Sequence, residues 1–306
     1  MYKSILSLSL LGLLSISQAF SQNSFISSPN LSKLQPKIDS ILSKYDAKVG
    51  IAIHNHDLSD SLIVNGDHHY PLQSVYKFHL GIVILDQVDK GKLKMKQPLV
   101  FSKETMNSEL YSPIKDAHPN GVTMPLDEVL FHTIAESDNI GCDAMFDLLG
   151  GPKIVDTYFK KLGFKDQNIA YTERVQQAKW DIQFENWTTV SATNHIMHAY
   201  YTNDDQLLSK KSYDFLWDNM RKTTTGPNRI KGMLHKGTVV AHKTGTSGRN
   251  RQTGVTAAIN DVGVVSLPDG KVFYISVYVT DSNEVGEPNE RVVAEVSKVA
   301  YDAFVK

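Results

Sequence analysis

Residues 263–279 read GVVSLPDGKVFYISVYV, two apolar runs separated by Pro268-Asp269-Gly270. Proline and glycine each suit a place in a tight turn, because proline fixes φ and glycine accepts a positive φ. The pattern therefore predicts two strands, at 263–267 and 272–279. Similar runs at 239–243 and 254–259 predict two more strands, so this end of the chain should supply much of a β-sheet.

Short alternating runs at 50–56 and 61–64 predict further strands near the N-terminus, joined by a turn at 55–60. Helical periodicity dominates the interior of the chain. The predicted helices cover residues 74–91, 125–136, 139–149, 152–161, 188–202, 209–221 and 289–304. We therefore expect an α/β fold whose sheet is built from both ends of the chain, 22–70 and 212–306. An all-helical domain is expected at 71–211, with the active site in the cleft between the two parts.

The composition of the 306-residue chain excludes several classes of protein. It has 32 basic and 33 acidic residues and a formal net charge of −1, so a nucleic-acid partner is not expected. Cys142 is the only cysteine, which excludes intrachain disulfides and CxxC-type zinc or iron–sulfur sites. The composition fits a globular protein that works with side chains alone and needs no metal or other cofactor.

The first 21 residues have the pattern of an export signal. Lys3 precedes a short apolar run at residues 5–14, and small residues follow that suit cleavage after Ala19 or Ser21. The run is too short to span a bilayer. No cysteine lies near the cleavage point, so a lipid anchor is not expected. These features predict a periplasmic or secreted protein without a membrane anchor.

Two S-x-x-K strings occur in the chain. Ser74-Val75-Tyr76-Lys77 opens a predicted helix, where positions i and i+3 share a face and the lysine amine can reach the serine hydroxyl. Ser112-Pro113-Ile114-Lys115 precedes a loop-like stretch. Because most such strings have no catalytic role, the first one needs support from other residues.

Two further motifs give that support. Ser137-Asp138-Asn139 lies between two predicted helices, where a hydroxyl can relay a proton and an amide can hold a substrate carbonyl. Lys243-Thr244-Gly245 ends a predicted strand, where the lysine and threonine suit a carboxylate and the glycine allows close approach of a ligand. Either motif alone is compatible with a helix cap or a strand end. All three in this order indicate an active site.

The three motifs resemble the signature of class A β-lactamases and penicillin-binding proteins. The resemblance covers nearly the whole chain after the export signal. It implies an antiparallel sheet flanked by helices, with an inserted all-helical domain. Glu173 selects the branch, because it lies in an irregular segment at about 165–187, where class A β-lactamases carry a glutamate on their omega loop. That glutamate positions the water that hydrolyses the acyl-enzyme, and transpeptidases lack it.

The resemblance implies the catalytic roles. Ser74 would attack the lactam carbonyl, and Lys77 would help to take its proton. Whether the lysine or the glutamate–water pair is the acylation base is disputed in the family. Ser137 would pass a proton to the departing ring nitrogen. The backbone N–H groups of Ser74 and Thr246 would form the oxyanion hole.

Substrate binding is also implied by the resemblance. The substrate carboxylate would be held by residues at the end of the last motif, and Asn139 would hold the side-chain amide. Tyr111 would line the cleft wall, and Gln177 could hold the hydrolytic water. The substrates would be small-molecule β-lactams, and we expect a monomer. The residues implied near the carboxylate and along the same strand are Lys243, Thr244, Gly245, Thr246 and Ser247.

The omega-loop segment departs from the usual class A pattern. Arg174 and Gln177 stand where most members have proline and asparagine, so a cis peptide after Glu173 is not expected. Tyr171 and Asn186 replace the arginine–aspartate bridge across the loop neck, and Asp143 replaces an asparagine. These departures resemble the extended-spectrum cephalosporinase branch and predict a wider loop without its usual clamps.

Arg229 lies in Gly-Pro-Asn-Arg and matches the arginine that this branch uses for the substrate carboxylate. Arg249 and Arg251 leave the assignment open, because either could reach the cleft. Thr246-Ser247-Gly248 resembles the strand of oxyimino-cephalosporin hydrolysers, although small residues are also ordinary in a strand.

The sequence therefore predicts an exported class A serine β-lactamase that confers β-lactam resistance, with extended-spectrum cephalosporinase activity. One alternative is a D,D-peptidase, which shares the motifs but normally lacks Glu173 in this register. Another is a β-lactam sensor, which is acylated and stops there. A plain binding module leaves the coincidence of the three motifs unexplained.

Overall fold

The computed structural model describes residues 30–305. The predicted export signal at 1–21 lies outside the described residues. Among residues 30–305, none of the helices combines the length and the apolar character that crossing a membrane requires.

A five-stranded antiparallel sheet lies at the centre of the fold, in the order β2-β1-β10-β9-β8. Two small sheets, β3-β7-β6 and β4-β5, accompany it. The strands are β1 (Lys48–His54), β2 (Ser61–Val64), β3 (Tyr70–Pro71), β4 (Pro98–Phe101), β5 (Val122–Pro125), β6 (Gln167–Asn168), β7 (Trp187–Thr188), β8 (Val240–Thr246), β9 (Ile259–Ser266) and β10 (Val272–Thr280). Because β10 pairs with β1 and with β9, the main sheet joins the two ends of the chain.

The helices are α1 (Gln35–Leu42), α2 (Tyr76–Asp89), α3 (Lys103–Met106), α4 (Pro113–Ala117), α5 (Leu126–Ala135), α6 (Asn139–Leu149), α7 (Pro152–Lys161), α8 (Glu173–Ala178), α9 (Val190–Thr202), α10 (Lys210–Arg221) and α11 (Glu287–Phe304). Helices α9 and α11 pack on the main sheet, and every residue of its strand β10 is buried. The predicted α/β class, an antiparallel sheet flanked by helices, is confirmed. The division of the chain at residues 71 and 211 stays a prediction.

Alternation along β10 separates two apolar cores. Phe273 and Ile275 pack in one core with Val292 and Val296 of α11. Tyr274, on the other face, belongs to the larger core formed with the remaining helices. Successive side chains of a strand point to opposite faces, so a single strand serves both cores.

Helix α2 is buried more completely than its sequence predicts. The periodicity of residues 78–88 suggests one apolar face, whereas the structure buries every residue from Tyr76 to Asp86. Helices α5, α6, α7 and α10 all contact α2. A helix surrounded by others carries apolar residues all round, which weakens the amphipathic signal. Lys77 lies in the first turn of this central helix, and Ser74 lies in the turn that leads into it.

The predicted strand at 254–259 is wrong. The structure has one strand, β9 (Ile259–Ser266), in place of two, and residues 254–258 belong to a connection that is held by isolated bridges of Thr256. Polar Asn260 and Asp261 interrupt the apolar pattern and hide the continuity of β9. Both are buried because they have tertiary partners: Asn260 donates to the carbonyl of Pro71 at 2.8 Å.

Candidate active site

Ser74 and Lys77 lie at the start of the central helix. A 3₁₀ turn, Gln73–Val75, leads directly into α2 and places the two side chains on one face. The Lys77 ammonium donates to Ser74 Oγ at 2.8 Å, and Lys77 is fully buried. Gln73 has a φ of +48°, a left-handed conformation that non-glycine residues rarely adopt. Strain at this point presents Ser74 to the cleft.

Lys77 contacts oxygen atoms from two other segments, the motif at 137–139 and the start of α8. It donates to the carbonyl of Ser137 at 2.9 Å and to Asn139 Oδ1, and it forms an ion pair with Glu173 Oε1 at 2.9 Å. A buried ammonium is tolerated only with such partners, because its desolvation is otherwise very costly. Since Asn139 Oδ1 accepts from Lys77, its amide N–H₂ group is left to face the cleft. Lys77 thus links Ser74, the 137–139 motif and Glu173.

Glu173 begins α8 and is buried. Asp143 of α6 provides the cap for this helix: its carboxylate accepts from the backbone N–H of Glu173 at 2.7 Å and of Arg174 at 3.0 Å. Burial raises the pKa of Asp143 to about 6, against these hydrogen bonds, which lower it. The peptide bond after Glu173 is trans. The position of the Glu173 carboxylate therefore depends on a second, buried carboxylate.

Ser137 and Lys243 form the opposite wall. Lys243 donates to Ser137 Oγ at 3.0 Å, and Ser137 has a φ of +63°. Burial and the nearby Lys77 lower the pKa of Lys243 well below its ordinary value, while Asp261 and Glu173 raise it. The hydroxyl of Ser137 lies 3.5 Å from the Lys77 ammonium, so two lysines flank it.

The end of β8 lies close to the nucleophile turn. A Cβ on Gly245 would come within 2.6 Å of the Leu72 carbonyl, which explains the glycine at this position. The hydroxyls of Thr244 and Thr225 are 2.6 Å apart. Arg229 donates to Thr246 Oγ1 at 2.7 Å and thus lies beside the strand end.

The three candidate arginines differ in their surroundings. Arg229 is buried and also donates to the carbonyls of Gly245 and Asn260 and to Glu290 at 3.1 Å. Arg249 donates to the carbonyls of Asn283 and Glu284. Arg251 is exposed at the rim of the cleft. Which of them contacts a substrate stays a prediction.

A cleft of about 750 Å³ lies over Ser74, between the segment 173–183 and the loop 246–252. Its lining includes six of the residues predicted from sequence, Ser74, Asn139, Glu173, Gln177, Thr246 and Ser247. Gln177 is exposed, whereas the neighbouring Gln176 is buried and donates to the Tyr76 hydroxyl at 2.9 Å. Tyr111 is 55% exposed, and its carbonyl accepts from the N–H of Asn139.

The neck of the omega loop is closed, which corrects the expectation that its clamp is missing. Asn186 Oδ1 accepts from the N–H groups of Ala170 and Tyr171 at 2.7 and 2.9 Å, and its Nδ2 donates to the Tyr171 carbonyl at 2.8 Å. Three neutral hydrogen bonds to backbone replace an ion pair. The sequence shows that the ion pair is absent, but it does not show that the asparagine can bond to the opposite backbone.

The second S-x-x-K string has a structural role. Ser112 caps α4, and its hydroxyl donates to Asp138 Oδ2 at 2.6 Å. Lys115 donates to the carbonyls of Ser108 and Leu110. These contacts support the loop that carries Tyr111 and the segment that carries Ser137.

Sequence reasoning missed several contacts that hold the site together. Gln183 accepts from Gln73 Nε2 at 2.8 Å, and so ties the omega loop to the residue before Ser74. Glu290 holds Arg229, and Asp143 holds Glu173. Each contact joins residues far apart in the chain, so no local pattern could have indicated it.

Fold and site together define a serine acyl-transfer enzyme: a serine hydroxyl is in contact with a buried lysine and near a buried glutamate, at a cleft beside an antiparallel sheet. Residues 33–304 match the model of the beta-lactamase enzyme family. Beta-lactamase VEB-1 of Pseudomonas aeruginosa is 43% identical over 88% of this chain and 89% of that protein.

Two further relatives carry the words extended-spectrum in their names. The extended-spectrum beta-lactamase PER-1 of Pseudomonas aeruginosa is 36% identical over 93% of this chain and 91% of that protein. The crystal structure of TLA-1 extended spectrum beta-lactamase superposes with a TM-score of 0.87 at 43% identity, covering 90% of this chain and all of that one. The chain belongs to the class A β-lactamase family and is a hydrolase of the β-lactam amide bond.

Proposed function

We propose that this β-lactamase acts by acylation of Ser74 and by hydrolysis of the acyl-enzyme with water activated by Glu173. The observation that carries the proposal is the Lys77 ammonium, which contacts both Ser74 Oγ at 2.8 Å and Glu173 Oε1 at 2.9 Å. Ser74 Oγ also lies 3.5 Å from Glu173 Oε1. The Glu173 carboxylate can therefore accept the proton that leaves Ser74, directly or through one water, and Lys77 can accept it once its own ammonium has passed a proton to Glu173.

In the proposed acylation, Ser74 Oγ attacks the lactam carbonyl as its proton passes to the Lys77–Glu173 pair. The N–H groups of Ser74 and Thr246 stabilise the oxyanion, and the C–N bond then breaks. Ser137 donates its hydroxyl proton to the ring nitrogen and recovers one from Lys77. The Lys243 ammonium, 3.0 Å from Ser137 Oγ, stabilises the hydroxyl oxygen during this transfer.

Deacylation reverses the roles. Glu173 takes a proton from a water molecule, which attacks the ester carbonyl, and Ser74 Oγ leaves with that proton, returned through the Lys77–Glu173 pair. Asp143 fixes the backbone of Glu173, and Gln177 lies on the same cleft wall, where its amide can contact that water. A positioned base of this kind contributes about 10²- to 10⁴-fold to a rate.

The substrate carboxylate binds, in this proposal, at the end of β8, where Lys243, Thr244 and Thr246 meet Arg229. Gly245 lets the substrate backbone lie along the strand. The free amide N–H₂ of Asn139 binds the side-chain carbonyl, and Tyr111 covers the outer wall.

We infer extended-spectrum cephalosporinase activity from the cleft. Its walls, the segment 173–183 on one side and residues 246–252 on the other, leave about 750 Å³ over Ser74, which suits a bulky oxyimino side chain. Ser247 contributes a small side chain to this wall. The names of PER-1 and TLA-1 support the same substrate range.

We also propose that the enzyme is exported to the periplasm or secreted, and that it acts there as a monomer. The pattern of Lys3, the apolar run at 5–14 and the small residues that follow supports export.

Progress curves with a chromogenic cephalosporin in large excess test the mechanism. Continued turnover supports glutamate-assisted deacylation. A burst of one equivalent followed by a stable adduct on Ser74 contradicts it and indicates a penicillin-binding protein or a sensor. The substrate range is tested by kcat/KM for an oxyimino-cephalosporin against a simple penicillin: a markedly higher value for the penicillin would contradict the cephalosporinase proposal.

A further inference from the structure

Asp261 is a fully buried carboxylate behind the substrate side of β8. Its Oδ1 lies 2.9 Å from His242 Nδ1, and its Oδ2 accepts from the backbone N–H of Ile230 at 3.1 Å. His242 and Ile230 each stand next to a residue of the carboxylate site, Lys243 in one case and Arg229 in the other. Asp261 thus contacts both backbone segments that present the two cations.

Close packing holds this arrangement. Gly263 pairs with His242 across the two strands, and a Cβ at Gly263 would come within 3.0 Å of the His242 Cβ. The glycine therefore leaves room for the imidazole between β9 and the turn at 226–230. A larger side chain at this position would separate the turn from the strand.

The hydrogen bonds indicate which imidazole nitrogen faces Asp261. Nε2 of His242 is buried and has no partner within the described residues. A proton on Nε2 would leave a buried donor unsatisfied, so the contact with Asp261 is made by an N–H on Nδ1. The Asp261 carboxylate is the acceptor of this contact.

Lys243 is the cation whose pKa is raised by the negative charge of Asp261. The ionisable groups around it are Lys77 from α2, Glu173 from α8, Asp261 from β9 and Cys142 from α6. Burial and Lys77 lower the pKa of Lys243, and the negative charges of Asp261 and Glu173 oppose that change. Glu173 is already in contact with Lys77, at 2.9 Å. Glu173 thus acts on both lysines, whereas no described contact joins Asp261 to Lys77.

We propose that Asp261 is a positioning residue of the substrate-carboxylate site: it fixes the Arg229 turn against β8 and supplies the negative charge that keeps Lys243 in its ammonium form. The inference rests on the proposed binding of the substrate carboxylate by Lys243 and Arg229. It deepens that proposal, because it assigns a role to a residue that never touches the substrate.

The test is the pH profile of kcat and KM for a chromogenic cephalosporin, from about pH 6 to about pH 10, which spans the range where a perturbed lysine titrates. In D261N the alkaline limb of kcat/KM should move down by about one pH unit or more, and KM should rise by about tenfold. D261E, which retains the charge, should keep the wild-type limb. A role in folding alone would lower activity at every pH without moving the limb.

Variants of His242 test the role of the Asp261 charge without changing the Asp261 side chain. H242N leaves Asp261 charged and should keep the limb, whereas H242K neutralises Asp261 with an ammonium and should shift the limb as D261N does. H242K also serves if D261N fails to fold. The limb should be absent from both K243R and the K243R/D261N double variant, because a guanidinium does not deprotonate in this range.

The outcomes separate this inference from the proposed function. Folded, active D261N with the wild-type limb, or a limb that persists in K243R, would overturn the inference and leave the Ser74 mechanism intact. A wild-type protein that is acylated once and stops would contradict the proposed mechanism before any of these variants is compared.

Discussion

The Lys77 ammonium lies 2.9 Å from Glu173 Oε1, although one residue belongs to the central helix and the other begins a short helix of the omega loop. Both side chains are almost completely buried. In such surroundings, moving one proton between them converts an ion pair into a neutral pair. In the proposed mechanism, the contact therefore joins the group that receives the serine proton to the group that activates water.

Replacing Glu173 by glutamine should trap the acyl-enzyme. E173Q keeps the shape of the side chain but cannot accept a proton from water, so deacylation should slow by about 10²- to 10⁴-fold. Mass spectrometry after mixing with a cephalosporin should show one stable adduct on Ser74. E185Q, in the same segment with an exposed side chain, is the matched control and should turn over normally. Unchanged turnover by E173Q would exclude Glu173 as the deacylation base.

Asp143 should make the stability of the protein depend on pH. Burial raises the pKa of Asp143 to about 6 in the folded state, above its ordinary value of 3.8. Between these values the unfolded chain loses this proton first, so the contribution of Asp143 to stability falls as pH rises from about 4 to about 6. Its magnitude is on the order of 3 kcal/mol.

D143N isolates this effect, because asparagine does not titrate. Urea denaturation at each pH gives the unfolding free energy of D143N minus that of the wild type. We expect this difference to increase from about pH 4 to about pH 6.5, a range that brackets the shifted pKa, and then to level off. A difference that is constant with pH would show that Asp143 ionises in the folded protein as it does in water.

Removing the Arg229 side chain should weaken substrate binding more than catalysis. R229A loses the guanidinium beside Thr246 Oγ1, and loss of a charge-assisted contact of about 1.5–3 kcal/mol corresponds to a KM increase of about 10- to 100-fold. The exposed Arg251 provides the control: R251Q should change KM by less than about twofold, as expected for a screened surface charge. The reverse pattern would assign the substrate carboxylate to Arg251.

The amide contact between Gln73 and Gln183 should stabilise the omega loop. Q183A leaves the buried amide of Gln73 without its acceptor, which should lower the free energy of unfolding by about 1–3 kcal/mol. Hydrogen exchange of the segment 173–184 should become faster. Q177A, at an exposed position of the same segment, should change stability by less than about 0.5 kcal/mol. Equal protection of the segment in Q183A and the wild type would show that other contacts hold the loop.

Much of the fold could be predicted because strand and helix periodicities are local. The apolar run at 272–279 corresponds to β10, and the predicted helix at 139–149 has the bounds of α6. The errors occur where tertiary contacts override the local pattern. Buried Asn260 and Asp261 conceal the continuity of β9, and Asn186 closes a loop neck for which the sequence predicts only that the usual ion pair is absent.

The sequence by itself determined the nucleophile motif, because Ser74 and Lys77 are three residues apart at a helix start and local geometry alone puts them on one face. It also indicated the main strands at both ends of the chain, the longer helices between them and the family. Only the tertiary structure decided how Glu173 is held by Asp143, how Arg229 is held by Glu290, and where the charge of Asp261 lies. These contacts join segments that meet only when the helices pack on the sheet. Their energies depend on burial and on charges from distant parts of the chain, which no local pattern of residues contains.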